Sequence, residues 1–173
     1  MKKLVTLLAL AGTMAAAQQT TTSTPAAPAP APAVKVTLSQ DQIKTATVDG
    51  KAVDTVIASP KTVLPGDILR EEVTVVNVSG KLVRSPVISV PVPKGTVYAG
   101  SATPGNDRWN TLYSIDGKSY AATPMKTVTV TENGKSVTKQ VAAAPTEYTN
   151  VRWLINQLGA DETLKLSFRV RVN

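Results

Sequence analysis

The chain has no histidine and no cysteine. That removes His- and Cys-centred nucleophile triads, the common zinc sites and all thiol chemistry. It also removes disulfides, so any core must hold by packing alone. Aromatic residues are few, with a single Phe. Helix signals are almost absent. No Asp-x-Asp-x-Asp run of the kind that builds a calcium loop occurs. The acids that exist are scattered. Glu71 and Glu72 are adjacent, so in a strand they face opposite sides and share no substrate. Asp161-Glu162 sit in a turn before the last strand. A glycosidase pair would have to be assembled from distant residues. A loose cation site would have only Asp107 beside Asn106, or Asp161, to draw on. No catalytic residue, metal or cofactor is expected.

What is present at the start is an export signal. Lys2-Lys3 precede the apolar run Leu4–Ala11, and Ala15-Ala16-Ala17 offers small residues for cleavage. The run is too short to span a bilayer as a permanent helix. Residues 1–17 are therefore read as a secretory signal peptide. No cysteine stands near the cleavage site, so a lipoprotein anchor is not expected. Residues 18–34 (QQTTTSTPAAPAPAPAV) are rich in Thr, Ala and Pro and read as a disordered linker. The Ala-Pro repeats favour extended polyproline II, and the segment would reach roughly 50 Å at ~3.1 Å per residue. The expected address is exported: periplasm, cell surface or outer envelope.

Removing Lys2 and Lys3 with the signal leaves 17 basic against 12 acidic side chains. Such an excess favours acidic partners. In an exported protein these are anionic envelope polymers or lipid headgroups more than nucleic acid. Nothing in the mature part approaches a transmembrane length.

Residues 35–173 alternate with period two and are punctuated by Gly and Pro. Val34–Leu38 reads as a first strand. Ile43–Val48 and Lys51–Ile57 flank Asp49-Gly50, a two-residue hairpin signal. Ile68–Val78 follows the Pro65-Gly66-Asp67 turn, with Leu69, Glu71, Val73, Val75 and Asn77 on one face. Val75, Val76 and Val78 lie on both parities, which suggests a bulge or a strand covered on both sides. Leu82–Val92 comes next, confined by its prolines to an edge or a strand end. Val97-Tyr98-Ala99 is short. Trp109–Ile115 and Ser119–Ala122 flank Asp116-Gly117, and Thr127–Thr131 and Lys135–Val141 flank Asn133-Gly134. Both read as hairpins. In the last strand Leu164, Leu166, Phe168, Val170 and Val172 point one way, and Lys165, Ser167, Arg169 and Arg171 the other. Nine or ten such strands predict an all-β, immunoglobulin-like antiparallel β-sandwich, with a barrel as the alternative.

Pro65-Gly66-Asp67 with Leu69, Val73, Val75 and Asn77, then Val90-x-Val92-Pro93-x-Gly95-x-x-Tyr98, resemble the DUF11 family, a bacterial cell-surface repeat. Gly100-Ser101-Ala102, Tyr113–Gly117, Tyr148–Trp153 and Leu166–Val170 continue the likeness, which spans about residues 58–173. The resemblance implies an immunoglobulin-like sandwich with a structural envelope role and no catalytic residue. Two departures stand out. Glu71 occupies a position where the family often carries Tyr, and residues 123–146 look like an inserted hairpin. The chain holds one copy of a domain that is often tandem.

The expected function is a secreted, non-catalytic structural or interaction module of the cell envelope. It would bind a partner protein or an anionic polymer within a larger surface assembly. Candidate contact residues are Arg152, Lys165, Arg169 and Arg171, which form a basic stripe if the last two strands pair. Trp109, Tyr113 and Tyr120 support an alternative, a carbohydrate-binding module stacking sugars on exposed rings. Trp153 alternates with Val151 and Ile155 and is read as core.

Overall fold

A computed structural model describes residues 33–173, and the expected signal peptide and almost all of the expected linker lie outside them. Twelve strands follow in order: β1 Val34–Val48, β2 Lys51–Ala58, β3 Ile68–Asn77, β4 Val83–Arg84, β5 Val87–Pro91, β6 Thr96–Gly100, β7 Trp109–Ser114, β8 Met125–Glu132, β9 Lys135–Ala142, β10 Asn150–Ile155, β11 Gln157–Leu158 and β12 Thr163–Val172. One 3-10 turn, Pro145–Glu147, precedes β10. Every strand pairing is antiparallel. A five-stranded sheet runs β2-β1-β3-β12-β6 and a three-stranded sheet runs β5-β10-β7. The pairs β4–β11 and β8–β9 stand apart. This is the all-β antiparallel sandwich expected from the alternation.

Period-two patterning builds the core directly. In β3 the residues Leu69, Glu71, Val73, Val75 and Asn77 are all buried and their neighbours are half-buried. In β12 Leu164, Leu166, Phe168 and Val170 are buried between exposed or half-buried polar residues. From the opposite sheet β10 sends in Val151, Trp153 and Ile155. Trp153 and Phe168 meet across the core with ring centroids 6.3 Å apart. Shifting β12 by one residue would move all its apolar side chains to the outer face, so burial holds the register.

Turn chemistry sets the corners. In Leu64-Pro65-Gly66-Asp67 the Asp67 N–H donates to the Leu64 carbonyl at 3.0 Å, and Gly66 has φ +91°. This is a type II turn, with Pro supplying φ at its second residue and Gly the positive φ at its third. The Leu64 N–H donates back to the Asp67 carboxylate at 2.8 Å. Asp49-Gly50 and Asn133-Gly134 both place two successive residues at positive φ, as a two-residue type I′ hairpin requires. Asn77 is fully buried where β3 stops. Its Nδ2 donates to the carbonyls of Lys81, Leu158 and Gly159, and its Oδ1 accepts from the Ser79 N–H and hydroxyl.

Several local expectations change. Val34–Leu38 and Ile43–Val48 are one fifteen-residue strand. No Gly or Pro interrupts them, and the polar bridge is satisfied sideways, Gln40 by Glu71 and Asp41 by Arg70. Leu82–Val92 is split, because Ser85 takes φ +51° and Pro86 follows it. β4 then pairs with β11, and β5 with β10. Asp116-Gly117 closes no two-strand ladder. Only Tyr113 and Ala121 pair beyond it, because the Asp116 carboxylate draws the chain into a tight Asx-type loop. The Val residues on both parities of β3 involve no bulge, since its registers with β1 and β12 run uninterrupted. Its outer-face residues, Val76 among them, are half-buried, and Val78 lies past the strand end, 51% exposed.

Candidate interaction surface

The basic residues expected to form one stripe occupy opposite faces of the sandwich. Arg152 lies on β10 in the three-stranded sheet, whereas Lys165, Arg169 and Arg171 lie on β12 in the five-stranded sheet. The last two long strands do not pair. The short β11 separates them in sequence, and the chain crosses from one sheet to the other between them. Strand alternation shows that each of these side chains points outward. It carries no information about which sheet a strand joins.

The outer face of the five-stranded sheet is a lattice of ion pairs. Lys165 Nζ donates to Glu72 at 2.8 Å, Arg169 to Asp54 of β2 at 2.5 Å, and Arg70 to Asp41 at 2.6 Å. Arg169 thereby ties β12 to β2 across the two intervening strands. The Thr45 hydroxyl, and then the Arg169 guanidinium, hold the Asp54 carboxyl below its usual range. Arg171 makes no ion pair among the described residues and is exposed. The charges alternate in sign, so the face is not a uniformly basic patch.

Arg152 is engaged on the other side. Its Nε donates to the Ser89 hydroxyl at 2.7 Å, and its guanidinium carbon lies 3.3 Å from the Tyr120 ring centre. A cation–π contact of this kind at an exposed site contributes about 0.5–1 kcal/mol. Tyr113 packs against the core and stacks on Tyr148 at 4.8 Å. Trp109 is buried, and its indole N–H donates to the Pro104 carbonyl at 2.9 Å. The three aromatics proposed for sugar stacking thus share no open surface. Two fill the core margin and the third is covered by Arg152.

Tyr120 borders a pocket of about 220 Å³ lined by Ile115, Asp116, Ser119, Ala121, Pro124 and Met125. Asp116 Oδ1 accepts from the Ser114 hydroxyl and from the Lys118 and Ser119 N–H groups. These bonds, led by the two backbone donors, hold its carboxyl far below the usual carboxylate range. Its chemistry is that of a turn anchor. Asn106 is similarly spent, its Oδ1 accepting from the Arg108 and Trp109 N–H groups. Among the described residues no group of three or more Asp, Glu, His or Cys side chains is placed to hold a metal ion.

Beside this pocket rises the β8–β9 hairpin. β8 and β9 pair only with each other, from Met125 opposite Ala142 to Glu132 opposite Lys135. At its base the Ala143 N–H donates to the Pro124 carbonyl at 2.8 Å, and Lys126 pairs with Glu147 at 2.7 Å. Among the described residues both outer strand edges are free. One face shows Thr127, Thr129, Thr131, Ser136, Thr138 and Gln140, all exposed. A second arm is formed where β1 and β2 run past the start of β3, over residues 44–55, also exposed throughout. Asn-Gly and Asp-Gly marked both hairpins in the sequence. That they project as arms follows only from what their neighbours leave unpaired.

No family model, curated protein or solved structure matches the chain. Among the described residues no helix is long and apolar enough to cross a membrane.

Proposed function

We propose that the protein is an exported, non-catalytic structural or interaction module of the bacterial cell envelope, meeting a partner protein or an anionic envelope polymer. The observation that carries this reading is the β8–β9 hairpin. An isolated two-stranded hairpin is at best marginally stable in water, and this one adds nothing to the core: its strands are exposed or half-exposed throughout. A free-standing pair with two open edges suits contact with something outside the molecule. The DUF11-like turn-and-strand motifs and the export signal supply the envelope setting.

The hairpin is clamped at its base by the Pro124–Ala143 bond, so it can be removed cleanly. Replacing residues 125–142 with a short Gly-containing turn should leave the sandwich folded, with near-UV circular dichroism and cooperative unfolding retained. In fractionated bacterial cells producing each form, the intact chain should sediment with the envelope, and the shortened chain should appear in the soluble fraction. Equal retention of both chains would remove the hairpin as the contact. Absence of the intact chain from the envelope would remove the envelope reading.

A further inference from the structure

The five-stranded sheet carries an unfilled length of edge. β2 covers β1 only from Asp41, which lies opposite Ala58, to Val48. Over Val34–Gln40 the opposite edge of β1 has no partner among the described residues, while its other edge pairs continuously with β3. Residues 35–39 are all exposed. On this segment Val34, Val36 and Leu38 face the core side of the sheet, in register with Asn77, Val75 and Val73 of β3. Val34 packs partly against the core, while Val36 and Leu38 lie beyond its cover. Val36 is 45% exposed and Leu38 53%, whereas Val75 and Val73 beside them are fully buried.

This edge has few of the features that protect sheet borders. It contains no proline and no bulge, and Lys35 is its one charge. It is also complementary to itself. Two antiparallel copies related by a two-fold axis through Val36 would set Val34 of one opposite Leu38 of the other, Val36 opposite Val36, and Lys35 opposite Thr37. All three apolar pairs fall on one face, and no like charges meet. Apolar cross-strand pairs of this kind stabilise a ladder, while like charges directly opposite destabilise it. The register also leaves Ala58 of each β2 outside the paired segment.

We propose that the Val34–Leu38 edge of β1 is a homotypic docking site, joining two copies of the chain into one continuous ten-stranded sheet. The segment is short, well under the ~1,200 Å² buried by stable complexes. The dimer is therefore weak, and it forms where the protein is concentrated. The inference rests on β1 alone and is independent of the envelope reading and of the β8–β9 hairpin.

Sedimentation velocity on the full-length chain, from about 10 µM to 1 mM, reads the association directly. The expected result is a reversible, concentration-dependent monomer–dimer equilibrium. Val36→Lys places two cations on the axis and should weaken it at least tenfold. Val36→Glu should do the same. Mixing the two variants should restore the dimer, because Lys then faces Glu. Val53→Lys, at an equally exposed site on β2, should change nothing. Residue 36 is exposed, so circular dichroism should confirm unaltered folding of all variants. A monomer at every concentration overturns the proposal. So does a dimer indifferent to Val36→Lys, or a mixture of the two variants that stays monomeric.

Discussion

Single side chains here do structural work that their chemical type alone does not announce. Asn77 is the clearest case, because one buried amide satisfies three carbonyls and two donors from separate turns. Removing it strands those groups, at about 1–3 kcal/mol for each one left without water. Asn77→Ala should therefore lower unfolding stability by about 3 kcal/mol or more in urea titration, among the largest losses in the chain. Glu71 is a different case. It lies on the core face of β3, 4% exposed, accepting a 2.6 Å bond from Gln40. Burial raises its carboxyl above the ordinary range, and the Gln40 bond only partly offsets this. Its folded pKa exceeds its unfolded one, so its contribution is complete below about pH 4.3, the ordinary value. That contribution is lost as pH rises through the raised folded value. Glu71→Gln should match the natural chain at pH 3.5 and exceed it in stability at pH 7, read as the difference between two denaturation curves. A variant no more stable at neutral pH would show that the carboxylate is well solvated. The family-like motif marked Asn77 and Asp67 as structural residues before any fold was known. Alternation also places Glu71 on the face of Leu69, Val73 and Val75; that Gln40 of β1 meets its buried carboxylate is decided only by which strand lies beside β3.

Secondary-structure elements divide into those secured by the core and those secured by their own turns. β3, β10 and β12 belong to the first group, and their inward side chains are continuous with the core. The β8–β9 hairpin belongs to the second. Gly134 has φ +76° with nothing within 4 Å of where a Cβ would stand. Gly134→Ala thus costs conformational strain only, on the order of 1 kcal/mol. The loss should be local. Amide exchange should quicken in residues 126–141 while the global unfolding midpoint stays put; a drop in that midpoint would mean the hairpin is cooperative with the sandwich. On the five-stranded face, the Arg169–Asp54 pair lies at the solvent-exposed surface, where water screens it. Arg169→Ala should therefore shift the unfolding midpoint only slightly, and the difference should shrink in 1 M salt. Hairpin turns were legible because Asp-Gly and Asn-Gly encode positive φ locally. The false hairpin at Asp116-Gly117 carried the same letters. There the side-chain carboxylate, bonded to Ser114, Lys118 and Ser119, chose a different loop.

The whole molecule is a sandwich with unequal layers, five strands facing three. The inequality explains why β1 carries exposed valine and leucine in core parity and why Phe168 and Trp153 lie at the centre. Trp153→Ala should remove about 3–5 kcal/mol, enough to threaten a domain of ordinary stability; a loss under 2 kcal/mol would mean that the two sheets do not meet at that indole. What the sequence by itself determined was the all-β class, the inward face of each long strand and the positions of the tight turns. Each of these depends on residues within a few positions of one another, through side-chain alternation and backbone dihedral preference. The tertiary structure alone decided which strands are neighbours. It sent Arg152 and the basic residues of β12 to opposite faces, drew Trp109 and Tyr113 into the core margin, and left Val34–Gln40 of β1 with one edge unpaired among the described residues. Partner choice is set by burial between distant segments, and no local pattern of letters records it.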